Sequence, residues 1–323
     1  MPSPRPKRDL LSLADLAVDL PKLLDRALEL KRTRASGRST ATRPGLELGL
    51  IFEKPSTRTR TSFEVAATEL GGHPHYLSKT DLQLGRGETI ADTARVLSRY
   101  LGAIAYRAFR HQDVVDLARH ATIPIVNALD DREHPCQIVA DLLTLKERWP
   151  KGFRGRRLAY IGDGNNVFNS LVLGAAIVGL DLTGAIPKAY RPPEDLLATA
   201  AGLAKRSGAK IAFTEDPSEA ARSADALYTD VWVSMGDEGE RAAREAAFAD
   251  YRIDQRLVDL AAKDVWVLHD LPAHRGLEIT DEVMDGPRAA IWDQAENRLH
   301  AQKAILEWLL PGRTAPARRR ARA

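Results

Sequence analysis

Short apolar runs alternate along this chain with stretches whose apolar positions recur at helical spacing, the pattern of strands and helices that builds parallel sheets. A leading helical region has Pro21 suited to an early helical position and Leu23, Leu24, Ala27 and Leu28 at helical spacing. The first half then predicts strands over Leu48 to Phe52, near Tyr76, over Ala103 to Tyr106 and over Ile123 to Asn127. A helix follows each, over Thr59 to Leu70, Ile90 to Tyr100, Gln112 to His120 and Pro135 to Trp149. Trp149-Pro150-Lys151-Gly152 stops the last of these and marks a domain junction, because Pro and Gly end helices and the next segment restarts with a strand. Beyond it, strands are expected over Arg157 to Ile161, Leu180 to Ala185, Lys210 to Phe213, Ala226 to Thr229, Val265 to Leu268 and Ala289 to Trp292. A closing helix over Gln294 to Leu310 carries Leu299, Ala304, Ile305 and Leu309 on one side. The expected fold class is α/β: two doubly wound parallel-sheet domains, residues 1–149 and 150–293, with a cleft between them.

Composition fits this picture, since 323 residues at 44% hydrophobic content fill two cores. The formal charge of +3 is small, and much of the excess lies in residues 311–323, where Arg318, Arg319, Arg320 and Arg322 stand among alanines and prolines. No aromatic residue is interleaved there for base stacking, so this is read as a solvated, disordered tail and no nucleic-acid partner is expected. No apolar run approaches the ~18 to 20 residues that cross a bilayer, and Met1 to Arg8 lacks a signal peptide's apolar stretch, so no membrane partner and a cytoplasmic location are expected. The single cysteine, Cys136, excludes an internal disulfide and a cysteine-based zinc site, and the sequence shows no cluster of metal ligands.

Candidate chemistry concentrates where strands end. In Phe52-Glu53-Lys54-Pro55-Ser56-Thr57-Arg58-Thr59-Arg60 an apolar strand runs into hydroxyls and guanidinium groups at a helix start, where free N–H groups carry partial positive charge: a phosphate cradle. Positions two apart do not share a helix face, so Arg58 and Arg60 are expected to have different partners. In open parallel sheets ligands sit beyond the carboxyl ends of strands, and Ser56, Arg107, His134, Asn165-Asn166, Asp230 and His269 all fall there. Gly162-Asp163-Gly164-Asn165-Asn166 lacks the third glycine of a dinucleotide fingerprint, and Asn166 enters its helix as a side-chain donor instead.

Four stretches, Ser56-Thr57-Arg58-Thr59-Arg60, His134-Pro135-Cys136-Gln137, Asp230-Val231-Trp232-Val233-Ser234-Met235-Gly236 and His269-Asp270-Leu271-Pro272, occur in the order found in ornithine carbamoyltransferases. The chain resembles that family from about Leu10 to Leu310. The resemblance implies transfer of the carbamoyl group of carbamoyl phosphate to the δ-amine of L-ornithine, giving L-citrulline and phosphate, with no metal or organic cofactor. It implies that Ser56, Thr57, Arg58 and Thr59 hold the phosphate, and that Thr59, Arg107 and His134 polarise the carbonyl. Gln137, whose side-chain oxygen is an acceptor, suits the carbamoyl NH₂; Asp270, Leu271 and Arg298 lie near the carbamoyl group; and Asn166, Asp230, Ser234 and Met235 face the amino-acid backbone of ornithine. Gln83 corresponds to a loop residue reaching a neighbouring subunit's phosphate, which implies a homotrimer or a multiple of trimers, and the helix at 294–310 is expected to return to the first domain. One departure stands out: the family's late motif reads His-Cys-Leu-Pro, and this chain has Asp270 in place of the cysteine. A carboxylate there either holds the acceptor amine as an ammonium or takes its proton, and it leaves open a carbamoyltransferase with another amine acceptor or reduced activity.

Overall fold

The computed structural model describes residues 7–84, 87–233 and 238–310. The first half runs α1 (Leu20–Ala35), β1 (Glu47–Phe52), α2 (Thr57–Glu69), β2 (His73–Ser78), α3 (Ile90–Leu97), β3 (Ala103–Arg107), α4 (His111–His120), β4 (Ile125–Leu129) and α5 (Pro135–Arg148). The second runs β5 (Arg157–Ile161), α6 (Asn166–Val178), β6 (Asp181–Ala185), α7 (Glu194–Ser207), β7 (Ile211–Thr214), α8 (Pro217–Ala221) and β8 (Ala226–Thr229). It closes with α9 (Arg241–Ala247), α10 (Gln255–Leu260), β9 (Trp266–His269), α11 (Asp281–Met284) and α12 (Ile291–Leu309).

Two parallel sheets result, ordered β2-β1-β3-β4 and β7-β6-β5-β8-β9. In the first, the chain steps from β1 outward to β2 and then back to the other side at β3; in the second, the reversal lies between β5 and β8. Helices cannot cover the carboxyl ends of strands at such reversals, so a crevice opens there. The two crevices contain Ser56 and Arg107 after β1 and at the end of β3, and Asn166 and Asp230 after β5 and β8.

The expected strand over Ala289 to Trp292 is replaced by a single parallel bridge between Ala289 and Val267, after which α12 begins at Ile291. Val267 N–H donates to Arg288 O and Ala290 N–H donates to Val267 O, and the backbone then turns helical. Ile291 is buried while Trp292 is largely exposed, the two adjacent residues of a helix rather than alternating faces of a sheet. The helix returns to the first half as expected, packing on α5, α1 and α2.

One apolar core runs through both halves, with Leu13, Ile138 and Leu142 meeting Leu171 and Ala175 where α5 packs on α6. Gly174 permits that approach: a Cβ there would stand 2.7 Å from Ile138 Cγ2 and 2.9 Å from Leu13 Cδ2. Gly174→Val is therefore expected to lower stability by about 1–3 kcal/mol through overpacking, read as a shift in the urea unfolding midpoint; an unchanged midpoint would show that the seam yields freely.

Candidate active site

The carboxyl ends of both sheets face a common cleft of about 440 Å³, whose lining includes Ser56, Thr57, Arg58, Thr59, Arg107, His134, Asn166, Asp230, Asp270, Leu271 and Arg298. Ser56 caps α2, its hydroxyl accepting from Thr59 N–H at 3.2 Å, so the first turn of the helix begins at the cleft wall. Arg58 lies in the wall, whereas Arg60 turns away to pair with Glu64 at 2.9 Å and stack 3.6 Å from the centroid of the Tyr76 ring.

Arg107 ends β3 at a register shift, where Tyr106 pairs with Asn127 but Arg107 pairs with Leu129. A bulge of this kind re-aims a side chain, and Arg107 lies buried in the cleft wall. Burial, then the positive charge of Arg298 and of Arg58, lowers its pKa to about 10, with Asp270 pulling the other way. Arg298, from α12, is buried beside it and donates to the Gln137 oxygen and, at 3.0 Å, to Thr59 Oγ1. Burial lowers its proton affinity too.

His134 caps α5 and is enclosed, with Nδ1 unpartnered among the described residues. Burial, with the charges of Arg298, Arg107 and Arg58, drives its pKa well below the ordinary imidazole value, so it stands neutral. Its backbone is fixed from the second half, His134 N–H donating to Ser170 Oγ at 2.9 Å.

Gln137 does not line the cleft. Its oxygen accepts from Arg298 and its amide donates to Asp141 Oδ1 at 2.8 Å, so it fixes the guanidinium. Asp141 also accepts from Gln294 and Tyr228, at 2.8 and 2.7 Å, and burial raises its pKa to about 6 despite these bonds. Gln294 then accepts from His269 N–H at 2.9 Å. The sequence reading missed this network, although a lone carboxylate amid the buried run from Ile138 to Leu145 was a signal that something pairs with it.

On the other wall Asp230 accepts from Asn165 Nδ2 at 2.6 Å and from Val231 N–H at 2.7 Å. The Asn166 amide donates to Asp130 O at 2.6 Å across the two halves. Asp230, His269 and Asp270 have potential ligand atoms within 4.8 Å of one another. His269 has no lone pair left for an ion, because Nε2–H donates to Glu278 at 3.1 Å and Nδ1 accepts from Leu271 N–H at 2.9 Å. That last bond holds Leu271 at φ +64°, a left-handed backbone that costs a residue with a Cβ about 1–2 kcal/mol and that turns Asp270 and Leu271 to the cleft. Arg241 and His274 also reach the lining and were not singled out in the sequence. Gln83 is exposed and outside the lining, and Ser234, Met235 and the tail at 311–323 lie outside the described residues.

Because the folded His134 resists protonation while the unfolded imidazole titrates near ~6.5, it contributes stability above that pH that is lost as pH falls below it. His134→Gln should therefore flatten the fall in unfolding free energy between pH 7 and pH 5, by at most about 1.4 kcal/mol per unit; an unchanged slope would mean that His134 takes up a proton in the folded state.

Residues 8–147 match the model of the aspartate/ornithine carbamoyltransferase carbamoyl-P binding domain, and residues 154–309 that of the Asp/Orn binding domain. An enzyme of Thermoplasma acidophilum named catabolic ornithine carbamoyltransferase is 54% identical over 94% of this chain and 99% of its own length. The ornithine carbamoyltransferase of Halalkalibacterium halodurans is 53% identical over 94% of this chain and 96% of its own. The solved ornithine carbamoyltransferase of Pyrococcus furiosus superposes with a TM-score of 0.90 at 48% identity, covering 94% of this chain and 96% of that one. With both domain models matched in order and half the residues shared along nearly the whole length, the chain belongs to the aspartate/ornithine carbamoyltransferase family, among its ornithine carbamoyltransferases.

Proposed function

We propose that the cleft transfers the carbamoyl group of carbamoyl phosphate to the δ-amine of L-ornithine, with the labour divided between its two walls. The observation that carries this reading is the grouping of half-buried Arg58 with buried Arg107 and Arg298 in one cleft beside the capped start of α2, opposite Asp230 and Asp270. A dianion offsets the first set of charges and a cationic amino acid the second. Ser56, Thr57, Arg58 and Thr59 hold the phosphate. Arg107, Thr59 and the neutral His134 donate to the carbonyl oxygen, where charge builds as the amine attacks. Arg298 stands at the carbamoyl group with Leu271, and Gln137 acts by fixing Arg298. Asn166 and Asp230, joined by Ser234 and Met235, take the α-amino and α-carboxylate groups of ornithine. Positioning and electrostatics suffice for such a transfer.

The domain division at 149 and 150 is supported by the two sheets and by the matched family domains. A homotrimer, with Gln83 reaching a neighbour's phosphate, is supported by the exposure of Gln83 and of Val96 and Tyr100 around α3. Among the described residues no helix is long and apolar enough to cross a membrane, which is compatible with work in the cytoplasm. The same chemistry serves arginine synthesis or citrulline breakdown. A second reading, transfer to another amine, draws on Asp270, and a screen of amine acceptors separates the two.

Purified protein given carbamoyl phosphate and ornithine should form citrulline, and Arg107→Gln should lower kcat roughly 10²- to 10³-fold, about 3–4 kcal/mol, as one lost oxyanion donor does. Absence of citrulline from the wild-type protein overturns the assignment; an unimpaired Arg107→Gln overturns the role of that guanidinium.

A further inference from the structure

Helices α5 and α12 pack through four buried polar side chains, spaced by one helical turn on each: Gln137 and Asp141 from α5, Gln294 and Arg298 from α12. At their centre the Asp141 carboxylate accepts from Gln137 Nε2 and Gln294 Nε2, both at 2.8 Å, and from the Tyr228 hydroxyl on β8 at 2.7 Å. Burial raises its pKa to about 6, which still leaves it ionised at neutral pH. An ionised carboxylate only accepts, whereas a primary amide donates from its nitrogen and accepts at its oxygen. Both glutamines therefore turn their nitrogens towards Asp141 and their oxygens away. The Gln137 oxygen then accepts from Arg298, and the Gln294 oxygen accepts from His269 N–H at 2.9 Å, where β9 ends and the chain turns into the cleft. One carboxylate sets the direction of two amides, and each amide serves one side of the site.

We propose that Asp141 is a positioning residue for carbamoyl transfer, the buried acceptor that aims Arg298 through Gln137 and fixes the end of β9 through Gln294; the proposal rests on the carbamoyl-transfer reading of the cleft. Asp141 and both glutamines stand outside the cleft lining, whereas Arg298 belongs to it. One terminal nitrogen of that guanidinium donates to Gln137 and the other to Thr59 Oγ1 at 3.0 Å, while Nε has no partner among the described residues. A planar group held at both ends cannot rotate, so its remaining hydrogens keep one direction at the cleft wall.

Charge follows the same path as direction. Burial lowers the proton affinity of Arg298, and Cys136, Asp141 and Asp270 work against it in that order, with Arg58 adding to the fall. The Cys136 thiol is itself pushed up to about 12 by burial and stays neutral, so Asp141 is the leading carboxylate in that balance. Two substitutions separate the acceptor from its charge. Asparagine at 141 keeps one oxygen for both glutamine nitrogens, and the Tyr228 hydroxyl can reverse to accept from the new amide. Leucine has a similar branched shape and accepts nothing, so both glutamines are free to reverse and Arg298 loses its fixed partner.

The test follows kcat for citrulline formation in wild-type protein, Asp141→Leu, Asp141→Asn, Arg298→Lys and the combination of Asp141→Leu with Arg298→Lys, with the affinity for inorganic phosphate measured by calorimetry. Asp141→Leu should lose roughly 10²-fold in kcat while phosphate affinity stays within about threefold, because Ser56 to Thr59 still hold the anion. Asp141→Asn should stay within about tenfold of wild type. Added to Arg298→Lys, Asp141→Leu should cost far less than it does alone, since losses that act through one group do not multiply. The positioning role is overturned, while wild-type citrulline formation stands, by an unchanged kcat in Asp141→Leu, by an Asp141→Asn equally impaired, by a double loss equal to the product of the single ones, or by phosphate affinity that falls as far as kcat. If Asp141→Leu does not fold, Gln137→Met and Gln294→Met each remove one amide and should each lower kcat about tenfold; an unchanged kcat in either overturns the role. Wild-type protein that makes no citrulline overturns instead the reading beneath it.

Discussion

Arg58, Arg107 and Arg298 line one cleft; burial first, and then the charge of Arg58, lowers the proton affinity of Arg107 and of Arg298, and Arg298 lowers that of Arg107 as well. Charges taken out of water and set beside like charges cost several kcal/mol each unless something opposite arrives. The rest of the site follows from that constraint. The helix start at Ser56 adds partial positive charge, His134 is held neutral by burial first and then by the charges of Arg298, Arg107 and Arg58, and the carboxylates collect on the opposite wall. Two substrates of opposite charge therefore complement the two walls of the cleft.

Holding such charges in register needs a scaffold that ties the two sheets together. Asp141 supplies the knot, accepting from Gln137 on its own helix, from Tyr228 on β8 and from Gln294 on α12. Through Gln137 it fixes Arg298, and through Gln294 it meets the backbone of His269, next to Asp270. Both oxygens of the Asp141 carboxylate accept from these partners, so residues of the two cleft walls are positioned by the same set of bonds. The close packing of α5 on α6 at Gly174 brings the apolar core through the same seam.

Much of the fold was legible because its signals are local. Short apolar runs marked all nine strands of the described residues closely enough to fix the order of elements, and Ser56 announced a helix start that the structure confirms as a cap. Ala289 to Trp292 misled because a four-residue apolar run has no period of its own, and tertiary contact with Val267 allowed one bridge before the helix took over. The cleft residues after strand ends were legible from parallel-sheet geometry. What escaped is long-range: Gln137 accepts from Arg298, Asp141 drew partners from three elements, and Leu271 took a left-handed conformation that its side chain gives no hint of. Arg241 and His274 reach the cleft by folding alone.

The central claim is that the cluster of guanidinium groups is built for a phosphate dianion. Calorimetric titration with inorganic phosphate, the product of the transfer, addresses it most directly, together with the unfolding midpoint in the same samples. Phosphate should bind wild-type protein and raise the midpoint, by about 2.7 kcal/mol of added stability at a hundredfold excess over Kd, and Arg58→Gln should lose at least tenfold in affinity. A wild-type protein that neither binds phosphate nor gains stability from it, or an Arg58→Gln protein that binds it equally well, would contradict the account.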